Sequence, residues 1–150
     1  MRKHIQYMQL CNQAASIFST CGKRQYAAIV VDEYGHVVGM GYNGGPKGSV
    51  HCIDGGCPRY LEDSPSGSVY DNCIAIHAEA NALLHTDYSS RPKRIYVNGP
   101  PCFSCAKLIA NSTLEEVYFM ADDSYMDWHK VKQFLINSNV NVVEINNASI

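Results

Sequence analysis

Residues 94–120 read RIYVNGPPCFSCAKLIANSTLEEVYFM, and the order of signals in this stretch decides the fold. Arg94 to Asn98 is a short strand pattern, and Gly99-Pro100-Pro101 breaks it. Ala106, Leu108, Ile109 and Ala110 then carry a helix from Cys102 to Asn111, and Glu116 to Met120 reads as another strand. Strand, helix, strand is the repeating unit of an α/β sheet.

Outward from this core the alternation continues. Downstream lie a helix over Met126 to Asn137 and a strand over Val140 to Ile145; upstream, Ala75 to Leu84 is rich in helix formers. Tyr26 to Val31 and Val37 to Tyr42 are strand candidates. The Asp32-Glu33-Tyr34-Gly35-His36 between them suits a hairpin turn, which makes the pair antiparallel. Ile5, Met8, Cys11, Ala15 and Phe18 recur at three- and four-residue steps, an amphipathic helix that ends near Gly22 and covers one sheet face. The expectation is one α/β domain: a mixed sheet of about five strands sandwiched by helices. Spacing assigns Leu83, Leu84, Phe119, Phe134 and Leu135 to its core.

Between Asn43 and Asn72 the pattern lapses, as Gly44, Gly45, Pro46, Gly48, Gly55, Gly56, Pro58, Pro65 and Gly67 interrupt any period. A long insertion of this kind inside a compact domain is usually functional, or tied down by something such as a metal.

The formal charge of −2 and the acidic cluster of Asp122, Asp123 and Asp127 leave no broad basic footprint for a phosphate polymer, so a small ligand is favoured over nucleic acid. No run of apolar residues reaches the length of a membrane span, and Met1 to Gln9 lacks the apolar core of a secretory signal. A soluble, cytoplasmic protein is expected. Seven cysteines, an odd number, alongside six histidines point to metal ligands or free thiols before disulfides.

The chemistry is concentrated in two short segments, His77-Ala78-Glu79 and Pro101-Cys102-Phe103-Ser104-Cys105, each at the start of a helix. There the helix dipole favours thiolates and negative charge. His77, Cys102 and Cys105 supply three zinc ligands, the number that leaves one position open for water in a catalytic site. Glu79, two residues beyond His77 and not itself a ligand, is the candidate proton shuttle. An H-x-E segment followed by P-C-x-x-C is the signature of zinc deaminases, which hydrolyse the amino group of a cytosine or adenine ring. Either half alone is unspecific; the pairing and its order are not.

Further stretches carry a resemblance. Thr20-Cys21-Gly22-Lys23-Arg24, Gly41-Tyr42-Asn43-Gly44-Gly45-Pro46, residues 73–83 (CIAIHAEANAL) and residues 101–107 (PCFSCAK) together make the chain similar to the deoxycytidylate deaminase family. The resemblance spans most of the chain. It implies the cytidine deaminase-like three-layer α/β/α sandwich and hydrolysis of dCMP to dUMP, which feeds thymidylate synthesis. It also implies a homo-oligomer, often a hexamer, activated by dCTP, with Mg2+ accompanying the bound effector, and inhibited by dTTP. On the resemblance His77, Cys102 and Cys105 correspond to the zinc ligands and Glu79 to the proton shuttle.

Asn43, Ala78, Arg24 and Tyr125 are the expected substrate-binding residues. The Asn43 amide suits a hydroxyl or a base edge, although Asn-Gly is also a common turn dipeptide. Arg24 can meet a phosphate in bidentate fashion or stand solvated at the surface, and Tyr125 lies on a loop that can reach the site or pack against it. The family uses the Gly41-Tyr42-Asn43-Gly44 stretch near its effector site as well. Some members hold a second, structural zinc, for which Cys21, His51, Cys52 and Cys57 are the candidates here, with Cys73 nearby in sequence; free buried cysteines are the other reading. Deaminases of nucleosides, free bases, or tRNA and DNA share the zinc constellation and remain alternatives, as does a noncatalytic module that keeps zinc as a staple.

Overall fold

The computed structural model describes residues 1–65, 72–122, 124 and 127–150. Five strands, β1 (Ala27–Asp32), β2 (Val37–Tyr42), β3 (Pro92–Val97), β4 (Glu116–Met120) and β5 (Asn141–Ile145), form one sheet in the order β2-β1-β3-β4-β5. β1 is antiparallel to both β2 and β3, whereas β3, β4 and β5 are parallel, so the sheet is mixed. The helices are α1 (Arg2–Phe18), a short α2 (Pro58–Leu61), α3 (Ala78–Leu84), α4 (Phe103–Ala110) and α5 (Trp128–Asn137). Among the described residues no helix is long and apolar enough to cross a membrane.

Period-two alternation sorts the strand side chains into two cores. Ala28, Val30, Ile95, Val97, Val117 and Phe119 pack with α3, α4 and α5 on one face. Ala27, Ile29, Val31, Tyr96, Tyr118 and Ile145 pack with Met8, Cys11, Ala14 and Ala15 of α1 on the other. Three layers result. Because both faces are covered, every residue of β1 is buried, and each large aliphatic side chain so buried contributes about 1.5–3 kcal/mol. The hairpin turn forms as its composition predicts. Asp32 Oδ1 accepts the N–H groups of Tyr34 (2.9 Å) and His36 (2.8 Å), and Gly35 takes the positive φ of 90° that the turn requires.

Several boundaries differ from the sequence reading. α1 stops at Phe18, before Gly22, and the exposed Phe18 stacks on Tyr42 outside the core. α3 begins at Ala78, three residues later than its helix formers suggest, because Ile76 pairs with Gly44 as an isolated antiparallel bridge, Ile76 N donating to Gly44 O at 2.8 Å. The bridge keeps Ala75 to His77 out of the helix. Leu84 is 72% exposed, since it lies about 100° around the helix from the buried Leu83 and faces away from the sheet. Cys102 caps α4 from outside its first turn. The 43–72 stretch also contains order of its own, in a turn of 3-10 helix at Cys52–Asp54 and in α2.

α3 lies close against β2 because Gly41 has no side chain. A Cβ there would come within 2.2 Å of Ala82 N and 2.3 Å of Ala78 O. That approach fixes the first turn of α3, and with it His77 and Glu79, relative to the sheet.

Candidate active site

The N-termini of α3 and α4 meet at the C-terminal end of β3. His77 is the N-cap of α3 and Cys102 the N-cap of α4, both in extended conformation, so both side chains project at the point where the two helices converge. His77 Nδ1 is 3.3 Å from Cys102 Sγ and 3.5 Å from Cys105 Sγ. The ligand atoms of the three residues lie within 4.8 Å of one another, and they form the one such group found among the described residues. Two thiols and an imidazole at this spacing are a donor set that fits zinc.

The electrostatics suit metal binding. Cys102 Sγ accepts a hydrogen bond from Cys105 N at 3.5 Å. The Cys102 thiol is pulled down to about 4, first by its hydrogen bond with the Cys105 thiol and then by His77, while Cys105 is pushed up by the same pairing and by burial. Glu79, in the first turn of α3, is 6% exposed; burial pushes its carboxyl up to about 7. Such a carboxyl stands ready to take or give a proton.

These residues open onto a cavity of about 270 Å3 whose wall includes Arg24, Asn43, Ala78 and Cys102. Of the residues expected to bind substrate, Asn43, Ala78 and Arg24 are therefore gathered at one cavity; Tyr125 lies outside the described residues. Asn43 is buried, and most of its amide is engaged within the protein. Its Oδ1 accepts from Tyr26 N at 2.9 Å and from the Ser19 hydroxyl, and its Nδ2 donates to Arg24 O at 2.8 Å. It thereby ties the 19–26 segment to the end of β2. Ala78 is fully buried. Arg24 donates to Tyr26 Oη at 2.9 Å and pairs with Asp122 at 3.3 Å.

The stretch expected to serve an effector divides. Gly41 packs on α3, Gly44 stands against Thr20 and the bridge to Ile76, and Tyr42 faces the α1 side, stacked on Phe18 away from the cavity. The sequence reading missed Arg59, which lies in the 43–72 stretch yet lines the cavity, and it quoted Lys23 without giving it a part. Only the fold brings them there.

The remaining cysteines separate cleanly. Cys11 is buried under β1, its thiol donating to Ala27 O at 3.0 Å and pushed up to about 12 by burial, which removes it from ligand chemistry. The thiols of Cys52, Cys57 and Cys73 lie close enough to shift one another's pKa, and the backbone N–H groups of Ile74, Tyr60 and Arg59 act to lower that of Cys57. Burial raises the Cys57 thiol, but those backbone bonds outweigh it and the net shift is downward. Cys21 adds to the thiol neighbours of Cys52 and Cys73. His51 is exposed, whereas Cys52 and Cys57 are buried.

Two soft thiol ligands, one imidazole and a buried carboxylate beside them define the hydrolytic zinc-centre class. The chain belongs to the family described as the cytidine and deoxycytidylate deaminase zinc-binding region, whose model matches residues 1–121. It is 40% identical over 112 residues to the deoxycytidylate deaminase of Mycobacterium phage D29, covering 71% of this chain and 85% of that one. It is 34% identical over 115 residues to the deoxycytidylate deaminase of Schizosaccharomyces pombe, where the match covers 75% of this chain but only 35% of the yeast protein. Among solved structures, the dCMP deaminase of cyanophage S-TIM5 in complex with dCMP and dUMP superposes with a TM-score of 0.69 at 25% identity, over 94% of this chain and 95% of that one. The five-stranded mixed sheet with flanking helices is thus the cytidine deaminase-like fold.

Proposed function

We propose that this chain catalyses the zinc-dependent hydrolytic deamination of dCMP to dUMP. One observation carries the reading: a buried carboxylate, Glu79, stands beside a His/Cys/Cys trio that offers three ligands and, among the described residues, no fourth. A purely structural zinc site is closed by four ligands and has no use for such a carboxylate. The phage and yeast relatives named as deoxycytidylate deaminases support the same substrate.

His77, Cys102 and Cys105 would hold a zinc ion, which would supply a water activated near neutral pH. The rest is done by the chain. Glu79 takes the proton that this water gives up and delivers one to cytosine N3 as the oxygen joins C4. It then takes the proton of the hydroxyl now on C4 and passes it to the amino group, so that the C4–N4 bond breaks, ammonia leaves and the C4 oxygen becomes a carbonyl. Burial of Glu79 and the first turn of α3 keeps bulk water from competing for those protons. Asn43 holds the Arg24 segment in register and keeps one amide proton for a substrate hydroxyl, while Ala78 forms the wall beside the base. Arg24 and, on its loop, Tyr125 complete the substrate contacts.

The same reading extends to the supply of dUMP for thymidylate synthesis in the cytoplasm. It takes the chain as one deaminase domain that assembles as a homo-oligomer, a hexamer on the family pattern. Activation by dCTP with Mg2+ and inhibition by dTTP act through Gly41 to Gly44. A second, structural zinc ties down the 43–72 insertion, with Cys21, Cys52, Cys57 and Cys73 as its ligands in place of the exposed His51. Support for this set comes from the burial of Cys52 and Cys57 and from the mutual influence of the Cys21, Cys52, Cys57 and Cys73 thiols.

Comparison of kcat/KM for dCMP, deoxycytidine and CMP tests the substrate. Preference for dCMP over both others is expected; equal rates without the 5' phosphate would overturn it.

A further inference from the structure

Residues 24–27, which pass the cavity and enter β1, are gripped from both sides by asparagines. Asn43 follows the end of β2 and Asn98 the end of β3. On one side Asn43 N donates to Tyr26 O at 3.1 Å, its Oδ1 accepts from Tyr26 N at 2.9 Å, and its Nδ2 reaches back to Arg24 O at 2.8 Å. On the other, Asn98 N donates to Ala27 O at 3.4 Å, its Oδ1 accepts from Ala27 N at 2.8 Å, and its Nδ2 reaches back to Gln25 O at 3.1 Å. The two sets share one pattern. In each, the side-chain carbonyl stands in for the main-chain carbonyl of the ladder, so the pairing is completed while the main chain turns away.

Both departing chains lead to metal ligands. Beyond Asn43, Gly44 bridges to Ile76, the residue before His77. Beyond Asn98, Gly99-Pro100-Pro101 runs to Cys102. The stretch between the asparagines is thus a common anchor for the segments that bring His77 and Cys102 together. Its Tyr26 closes the arrangement. The ring lies so tightly over Gly99 that a Cβ there would stand 2.5 Å from Tyr26 Cε1. The same side chain lines the cavity, and its hydroxyl accepts from Arg24 Nη1 at 2.9 Å.

Resting on the deaminase reading above, we infer that Asn98 is a positioning residue for the reaction. It does not itself line the cavity. It holds Gln25 and Ala27, and so presses Tyr26 onto the Gly99 turn that sets Cys102 against His77 and Glu79. Without it the 24–27 stretch is held by Asn43 alone, and the turn to Cys102 loses its support. A misplacement of about 1 Å between metal and proton carrier is enough to slow such a reaction by about a hundredfold.

The test compares the native protein with Asn98→Ala, both zinc-loaded and well below their melting temperatures. Two quantities are read: kcat and KM on dCMP per zinc-loaded chain, and the rate at which zinc leaves for an excess of chelator without substrate, the His77 phase being the one missing from Cys102→Ala. Loss of both side-chain bonds lowers kcat by roughly tenfold to a hundredfold, with a smaller change in KM, and speeds zinc transfer severalfold. Either kcat or zinc transfer within twofold of native in the folded variant overturns the assignment, whatever the melting temperature does, since a residue that only closes the sheet moves the melting temperature alone. Should Asn98→Ala fail to fold, Asn98→Asp keeps an acceptor for Ala27 N and loses the donor to Gln25 O; a severalfold fall in kcat with faster zinc transfer is then expected, and the same twofold limits overturn the assignment. Absence of dCMP turnover in the native protein overturns the parent reading and leaves zinc transfer to decide this one.

Discussion

Cys102 Sγ stands 3.3 Å from His77 Nδ1, although the two residues belong to different helices and are separated by the whole of β3. Each caps its helix from an extended residue just outside the first turn, so the contact depends on where two helices begin. The arrangement has consequences for metal content, catalysis and stability, each of which can be measured.

Replacement Cys102→Ala removes one of three ligands and the N-cap acceptor for Cys105 N together. The catalytic zinc is lost from the purified protein, by elemental analysis, and the melting temperature falls, because metal affinity and folding are linked. Retention of full zinc stoichiometry would show that the ligands are misassigned.

Glu79→Gln is nearly isosteric and leaves the trio intact. Zinc content and melting temperature stay close to native while kcat on dCMP drops by about a hundredfold to ten-thousandfold, the range for loss of a general acid–base group. Undiminished turnover would favour a noncatalytic zinc module.

The close packing of β2 on α3 gives a prediction remote from the chemistry. At Gly41 a methyl group meets helix backbone at Ala82 N and Ala78 O, which cannot give way as a flexible side chain would. Gly41→Ala therefore costs about 1–3 kcal/mol in chemical denaturation and shifts His77 and Glu79 enough to lower activity as well. A variant with native stability would mean that α3 sits further from the sheet.

Cys57→Ser addresses the insertion. With the quartet broken, zinc falls by one equivalent per chain relative to native, and cleavage by added protease between residues 43 and 72 speeds up. Unchanged stoichiometry would mean that Cys21, Cys52, Cys57 and Cys73 are four free thiols.

Much of this was legible in the sequence because it is local. The β1–β2 hairpin is written in Asp32 and Gly35, whose side chain and positive φ make the turn without help from elsewhere. The trio and Glu79 stand in two short segments, and spacing alone suffices to propose them. What could not be read depends on chain segments that meet only in the fold. The Gly44–Ile76 bridge, which delays α3 to Ala78, joins residues with no mark of pairing in their composition. Leu84 has the apolar character of a core residue but the wrong rotation about its helix. Arg59 lines the cavity with its Nη2 donating to Pro65 O, and a lone arginine in a glycine- and proline-rich stretch carries no sign of that.

The most direct measurement of the central claim is dCMP deamination followed through one cycle of metal removal and return, scored by ammonia and dUMP formed. The account predicts turnover by the zinc-loaded protein, its loss on chelation at the His77, Cys102 and Cys105 site, and recovery as zinc is restored to that site. Turnover that persists after the zinc has gone, or its absence in the fully loaded protein, would contradict it.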